Sequence, residues 1–345
     1  MLTAAERDAL RRLPKAELHL HLEGTLTPET LWRLAQRQGQ PHGLASLDAC
    51  RELYHFQDFG GFIRAIKTAS QLLVSPADYA DAVTALARQL RAQGVVYAEV
   101  FLSIGILLWR QVQIEPYWEA VEAARLAAER ETGVRIAWLF DAVRQFGPEP
   151  FAQVVGWAIK LQKSGQVVGI GVGGDETQVA TAEFATGYAR ARDAGLHTTI
   201  HAGETRGPES VREALRHLRP ERIGHGLNAF RDPELVAELA DSPVSLDICH
   251  ISNLRTGAWP DPSRPHPTRE YFQRGVRFAV STDDPGIFGV SLTDEYDYMG
   301  RICGFNPDEI RQVTEAAWDY SFLPEIARRA LAGLPGLPAA DAGGD

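Results

Sequence analysis

Short apolar runs rich in β-branched residues alternate along the chain with longer segments of helical periodicity such as Pro76–Gln93 and Glu119–Glu131. This alternation predicts a parallel α/β fold, and eight strands favour a closed (β/α)8 TIM barrel, in which each strand has two neighbours and two covered faces. The predicted strands are Glu17–Leu22, Val95–Leu102, Val134–Phe140, Val167–Val172, His197–His201, Arg222–His225, Val244–Cys249 and Val276–Ser281.

The whole chain, residues 1–345, is predicted to be a single barrel domain, because its length lies within the range of such barrels. A helical insertion is expected at residues 31–73, between the first two strands, where an insertion commonly forms a lid. Residues 333–345 are rich in Gly, Pro and Ala and are expected to form a flexible tail.

The formal net charge of −10, with Lys and Arg scattered, argues against nucleic acid as a partner and favours a small-molecule substrate. The N-terminus lacks the apolar stretch of a secretory signal, and no run is long enough to span a bilayer. The three cysteines are far apart, which is typical of reduced thiols, so a cytoplasmic location is expected. The sequence does not indicate an oligomeric state.

Histidine and aspartate side chains lie at the C-terminal ends of three of the predicted strands. His19 and His21 are two residues apart on an extended segment and therefore point the same way. His201 ends the fifth strand, and Asp283 follows the eighth. Because barrel enzymes place functional groups at the carboxyl ends of strands, these four side chains are candidate ligands of one metal ion, with zinc favoured by the nitrogen-rich set.

Other polar residues follow strands at the same end of the barrel. Glu204 lies in a Gly-containing turn, Asp284 adjoins Asp283, and His225 stands between glycines. The loop that includes Gly174 offers bare backbone to a flat substrate. Each segment taken alone has a structural explanation, such as a helix cap, a turn or a buried hydrogen-bonded histidine, but those explanations do not predict that all of them follow strands.

Four ordered motifs closely resemble those of adenosine deaminases, a family in the amidohydrolase superfamily. They are Pro14-Lys15-Ala16-Glu17-Leu18-His19-Leu20-His21-Leu22-Glu23-Gly24, His201-Ala202-Gly203-Glu204, Arg222-Ile223-Gly224-His225-Gly226 and Thr282-Asp283-Asp284-Pro285. The resemblance covers nearly the whole chain and implies zinc-dependent hydrolytic deamination of a 6-aminopurine nucleoside, with adenosine or deoxyadenosine as the first candidate.

Position by position, the resemblance implies that His19, His21, His201 and Asp283 bind one Zn²⁺. Glu204 would donate a proton to purine N1, and His225 would orient the attacking water. Asp284 would contact that water or N7, and the Gly174 amide would contact N3. Glu23 replaces the usual Asp on the ribose side and is one methylene longer.

The departures from the family keep other substrates open. Leu107-Leu108-Trp109 and Asp141-Ala142-Val143-Arg144-Gln145-Phe146 resemble bacterial relatives that deaminate 6-aminodeoxyfutalosine, whose carboxylate Arg144 could bind. His250 stands where the family usually has proline. Adenine itself is less favoured, because Asp is then expected at position 224. A non-catalytic barrel that binds purines is disfavoured by the retained Glu204 and the Asp283-Asp284 pair.

Overall fold

The computed structural model describes residues 2–163, 166–259 and 266–333. Eight parallel strands pair in chain order in one nearly closed barrel, which confirms the predicted TIM barrel. The strands are β1 Lys15–His21, β2 Val95–Leu102, β3 Arg135–Val143, β4 Val167–Gly173, β5 His197–Ala202, β6 Arg222–His225, β7 Ser245–Ile248 and β8 Phe278–Val280.

The barrel closes between β1 and the residues that follow β8. Leu20 and Asp283 form a parallel bridge, in which His21 N–H donates to Asp283 O (3.0 Å) and Asp283 N–H donates to His19 O (3.1 Å). Ser281 Oγ extends this closure by accepting from the N–H groups of Leu18 and His19, both at 3.2 Å. The closure therefore brings the first strand and the residues after the last strand together at the predicted metal ligands His19, His21 and Asp283.

Helices surround the strands and cover their outer faces. They are α1 Ala4–Arg12, α2 Pro28–Arg37, α3 Leu47–Leu53, α4 Phe59–Leu72, α5 Pro76–Ala92, α6 Ile104–Trp109, α7 Ile114–Thr132, α8 Pro148–Leu161, α9 Ala185–Asp193, α10 Pro208–Glu213, α11 Pro233–Asp241, α12 His250–Arg255, α13 Thr268–Arg274, α14 Pro285–Phe288, α15 Leu292–Arg301, α16 Pro307–Tyr320 and α17 Glu325–Ala332. Among the residues described, no helix is both long and apolar enough to cross a membrane.

The segment predicted as an insertion contains most of α2, together with α3 and α4. Each helix begins at a polar cap, Thr27, Ser46 or Asp58, whose side chain accepts an N–H of the first turn. The α4 helix alone contributes seven side chains to the wall of the cavity described below. Of the predicted tail, residues 334–345 lie outside the described residues.

The strands of the barrel are buried on both faces, and they therefore appear in the sequence as continuous apolar runs. Every residue of β2 is buried, as expected for a parallel strand covered on both faces. The barrel interior nevertheless contains charged side chains: Arg222 pairs with Glu99 (2.5 Å) and Asp247 (3.2 Å), and its guanidinium lies 3.8 Å from the ring centre of Phe322. This paired layer lies directly below the candidate site.

Candidate active site

The four predicted metal ligands converge at the carboxyl ends of β1, β5 and β8. Their ligand atoms all lie within 4.8 Å of one another. His201 Nε2 is 3.1 Å from Nε2 of both His19 and His21, and Asp283 Oδ1 is 3.3 Å from the same two atoms. Ligand atoms placed tetrahedrally about 2.0 to 2.1 Å from one zinc ion would lie about 3.3 Å apart. The residues therefore fit a single metal ion.

The backbone is strained where the carboxylate enters this cluster. Asp283 has a φ of 65°, in the left-handed region that side chains other than glycine seldom adopt. The β1 bridge holds it there through two hydrogen bonds, and Ser252 Oγ–H donates to its Oδ2 at 2.7 Å. One carboxylate oxygen is thus occupied by Ser252, while the other faces the histidines. Strain retained in this way is common at functional sites.

A second carboxylate, that of Asp247, lies beside the ring nitrogen of His19 that faces away from the cluster. Asp247 Oδ2 lies 3.5 Å from His19 Nδ1 and also accepts from Arg222 Nε. A carboxylate in this position keeps the His19 proton on Nδ1 and leaves Nε2, which faces the cluster, free to bind a metal. Asp247 is a charged residue inside a strand that the sequence predicts to be buried, and it was not among the predicted site residues.

We expect Asp247→Asn to weaken metal binding about 10- to 100-fold, because an amide is a poorer partner for the His19 ring than a carboxylate. The measurement is competition for the metal against a chelator of known affinity. Ser245→Ala, two residues earlier on the same face of β7, is the control and should bind the metal like the parent. Equal affinities for parent and Asp247→Asn would contradict the orienting contact.

The buried acid Glu204 lies beside the cluster, with its Oε2 3.6 Å from His225 Nε2. Burial, reinforced by the nearby Asp283 and Glu176 carboxylates, holds the pKa of Glu204 well above its usual range. Such surroundings favour the protonated form of a carboxylic acid, which can donate a proton.

The turn that carries Glu204 is held by Glu176, which sequence reasoning did not single out. Its carboxylate accepts from the N–H groups of Gly203 (2.8 Å), Glu204 (2.9 Å) and Thr205 (2.8 Å), and from Ser210 Oγ. An acid after a glycine-rich strand end was visible in the sequence. Its partners lie about thirty residues away and become apparent only in the fold.

Asp284, the neighbour of Asp283, is 2% exposed and points into the same cavity. Burial and the adjacent Asp283 raise its pKa well above the ordinary value. Gly24 is required opposite it, since a Cβ at that position would lie 1.7 Å from Asp284 Oδ1. Gly24 therefore leaves the space that the Asp284 side chain occupies.

Glu23 and Asp141 form a further acidic region in the cavity. Glu23 accepts from the Ser103 N–H at 3.2 Å, and Ser103 Oγ donates to Asp141 at 2.8 Å. Burial, with Asp141 nearby, raises the pKa of Glu23 to about 8. Both side chains face the same space as the metal cluster.

One cavity of about 350 Å³ connects these groups, a size typical of small-molecule sites. Gly174 lines it, and its φ of 103° requires glycine. Apart from the acidic groups and ligands, the wall is mainly apolar. The apolar side chains of the wall are Phe59, Phe62, Ile63, Ile66, Ile106, Trp109, Val143 and Phe146.

Arg144 does not line this cavity, contrary to its predicted contact with a substrate carboxylate. The side chain is fully buried, and its guanidinium donates to Val179 O, Thr181 Oγ1 and His201 O. Burial turns the cation inward, where it supports the backbone of a metal-ligand candidate. The cations that do line the cavity are Lys67 and Arg110.

The barrel and its cluster of three histidines and one aspartate define a metal-dependent hydrolase of the amidohydrolase type. Residues 14–334 match the model of the adenosine deaminase family, and the chain belongs to that family. It is therefore a deaminase that acts on adenine-type substrates.

Individual relatives differ in substrate. The chain is 35% identical over 320 residues to an adenine deaminase of Rhizobium meliloti (strain 1021), covering 92% of this chain and 97% of that protein. It is 34% identical over 322 residues to an aminodeoxyfutalosine deaminase of Streptomyces coelicolor, covering 93% and 83%. An amidohydrolase structure from Burkhoderia ambifaria with bound Zn superposes with a TM-score of 0.85, at 26% identity, covering 96% and 91%.

Proposed function

We propose that this enzyme hydrolyses the C6 amino group of an adenine nucleoside, using one zinc ion held by His19, His21, His201 and Asp283. The spacing of the four ligand atoms and the zinc in the Burkhoderia ambifaria amidohydrolase support this choice of metal. When bound, the ion supplies Lewis acidity that makes water nucleophilic at neutral pH.

The surrounding residues divide the proton chemistry. Glu204, protonated because it is buried, donates its proton to purine N1, so that negative charge does not accumulate on the ring as oxygen attacks C6. His225 orients the attacking oxygen, Asp284 contacts that oxygen or N7, and the Gly174 amide contacts N3. One proton of the attacking water replaces the proton that Glu204 gave to N1. The C6–O bond forms, and the C6–N bond breaks as the second water proton passes to the amino group, which leaves as ammonia.

The extent of the cavity supports a nucleoside with a large 5′ substituent. Beyond Glu23, which we place at the ribose, the wall continues as an apolar surface. There Trp109, 61% exposed, stacks on Phe146 with ring centres 6.0 Å apart and planes 11° apart. An aromatic group would cover this surface, and Lys67 would face an attached carboxylate. This chemistry is that of 6-aminodeoxyfutalosine, which we propose as the preferred substrate.

Adenosine is the second candidate, because it makes the same contacts from Glu23 inward but leaves the apolar wall uncovered. Adenine is disfavoured on two grounds. It would leave the ribose region empty as well, and a Cβ at position 224 would lie 2.7 Å from His19 Cε1, so the His19 ring would have to shift. The aspartate expected there in adenine deaminases would require this shift of a metal-ligand candidate.

The expected order of kcat/KM is 6-aminodeoxyfutalosine, then adenosine and deoxyadenosine, then adenine, since kcat/KM measures how well each transition state is bound. Ammonia release from each substrate under identical conditions provides the measurement. A higher kcat/KM for adenosine than for 6-aminodeoxyfutalosine would make adenosine the preferred substrate. The absence of ammonia from all four compounds would refute the deaminase proposal for these substrates.

A cation variant tests the carboxylate contact separately. Lys67→Met should lower kcat/KM for 6-aminodeoxyfutalosine about 5-fold and leave adenosine unchanged, as expected for an exposed ion pair of about 1 kcal/mol. Arg64→Met removes a cation from the same helix that does not line the cavity, and should change neither substrate. Equal losses on both substrates after Lys67→Met would exclude a carboxylate-specific role.

A further inference from the structure

A line of buried polar side chains runs from His225 in the active site to Glu295 on α15. All six members are at most 1% exposed. The successive contacts are His225 Nδ1 to Asn253 Nδ2 (3.1 Å), Asn253 Oδ1 to His266 Nε2 (3.3 Å), His266 Nδ1 to Thr268 Oγ1 (2.5 Å), Thr268 Oγ1 to His250 Nε2 (2.9 Å) and His250 Nδ1 to Glu295 Oε2 (2.8 Å).

Each hydrogen bond in this line contains one hydrogen. The donor-to-acceptor direction of the bond at one end of the line therefore sets the direction of the bond at the other end. An ionised Glu295 only accepts, and therefore His250 Nδ1 carries a hydrogen in every arrangement. The two possible arrangements differ in whether His250 Nε2 also carries one. Histidine tautomers are fixed by such partners of the second ring nitrogen.

In the first arrangement His250 is charged and its Nε2–H donates to Thr268. The threonine hydroxyl then donates to His266 Nδ1, and His266 Nε2–H donates to Asn253 Oδ1. The Asn253 amide hydrogen is left to donate to His225 Nδ1. His225 must consequently carry its own hydrogen on Nε2, the atom that faces Glu204.

In the second arrangement His250 is neutral. Its Nδ1–H still donates to Glu295, but every other hydrogen bond of the line reverses its direction. Thr268 donates to His250, His266 donates to Thr268, and the Asn253 amide turns over. His225 then carries its hydrogen on Nδ1 and presents a bare Nε2 to the active site. The two arrangements thus give the active site opposite hydrogen-bonding groups.

Charge around Glu295 favours the first arrangement. Its carboxylate is fully buried, pairs with His250, and otherwise accepts from the N–H groups of His250 and Ile251, both at 3.0 Å. A buried carboxylate beside a neutral ring would be poorly compensated. Hydrogen bonds to Cys303 and Glu295 outweigh burial and raise the pKa of His250 to about 9, whereas burial and the nearby His250 hold the pKa of His266 well below its ordinary value.

We infer that His250 is a positioning residue that, through Thr268, His266 and Asn253, holds His225 as the tautomer with hydrogen on Nε2. His225 then offers a donor to the attacking oxygen and does not take its proton. The effect on turnover rests on the proposed function, whereas the tautomer itself does not.

The test measures histidine ¹⁵N shifts in the zinc-loaded protein, with the His225 signals assigned by comparison with His225→Gln. Protonated and bare ring nitrogens resonate far apart, so the tautomer is read directly. The parent should show hydrogen on Nε2. Thr268→Val breaks the line and should give a mixture of tautomers, whereas Thr268→Ser retains the hydroxyl and should restore the parent spectrum.

A second variant perturbs the far end. Glu295→Gln removes the charge that His250 compensates and should move the His225 hydrogen towards Nδ1. We also expect Thr268→Val to lower kcat about 10-fold with KM changed by less than about 2-fold, and Thr268→Ser to restore it. A bare Nε2 in the parent, or an unchanged tautomer in both Thr268→Val and Glu295→Gln, would overturn the inference whatever substrate the enzyme takes.

Discussion

Glu204→Gln is expected to lower kcat about 10²- to 10⁴-fold, the usual contribution of a positioned general acid. Glutamine has nearly the same shape as a protonated glutamic acid and can donate a hydrogen bond, but it cannot transfer a proton. The loss should therefore appear in kcat, while KM for the nucleoside changes little, because binding contacts are retained.

The electrostatic surroundings of Glu204 explain the size of this expected effect. Burial and two neighbouring carboxylates raise its pKa, which favours the protonated form that the reaction needs. Three backbone N–H groups bound by Glu176 fix the turn, and His225 Nε2 lies 3.6 Å from Glu204 Oε2. The donor is therefore positioned before the substrate binds, which reduces reorganisation during the reaction.

Glu209→Gln is the matched control for Glu204→Gln, because it makes the same chemical change on an exposed side chain of the neighbouring α10. It should keep parental kcat. Zinc content, measured on both variants, should remain one ion per chain. If Glu204→Gln kept its zinc and nearly all its activity, another group would have to protonate N1.

The barrel could be predicted from the sequence because parallel strands buried on both faces form distinct apolar runs. The ends of β2 and β6 agree with the predicted ones, whereas β8 is shorter, at Phe278–Val280. The difference at β8 has a physical cause: Ser281 and Asp283 close the barrel through a side chain and a bridge in place of a regular strand. Apolar periodicity does not register such contacts.

The predicted site residues were found where polar groups interrupt the ends of apolar strands. Such interruptions indicate the carboxyl end of the barrel but not the direction of each side chain. Arg144 shows the limit, because its position after β3 suggested a substrate contact and the fold turns it towards backbone carbonyls. The contacts of Asp247, Glu176 and His250 depend on pairings between distant strands and helices, which a single sequence does not specify.

His201→Ala should abolish zinc binding at micromolar metal, an effect larger than the 10- to 100-fold expected for Asp247→Asn. His201 Nε2 lies 3.1 Å from both ligand nitrogens of β1, and the alanine would leave a buried gap among three remaining groups. Burial and the neighbouring His19 and His21 hold the pKa of His201 well below the ordinary value, so it is neutral and ready to bind a cation.

Thermal unfolding with and without zinc separates this loss from misfolding. Binding to the folded state alone raises stability by RT ln(1 + [L]/Kd), so the Tm of the parent should rise with zinc while that of His201→Ala stays constant. His197→Ala, a histidine at the other end of β5 with its side chain 40% exposed, is the control and should show the parental rise. A zinc-dependent Tm in His201→Ala, with turnover retained, would exclude His201 from the metal ligands and reduce the proposed set to two histidines and Asp283.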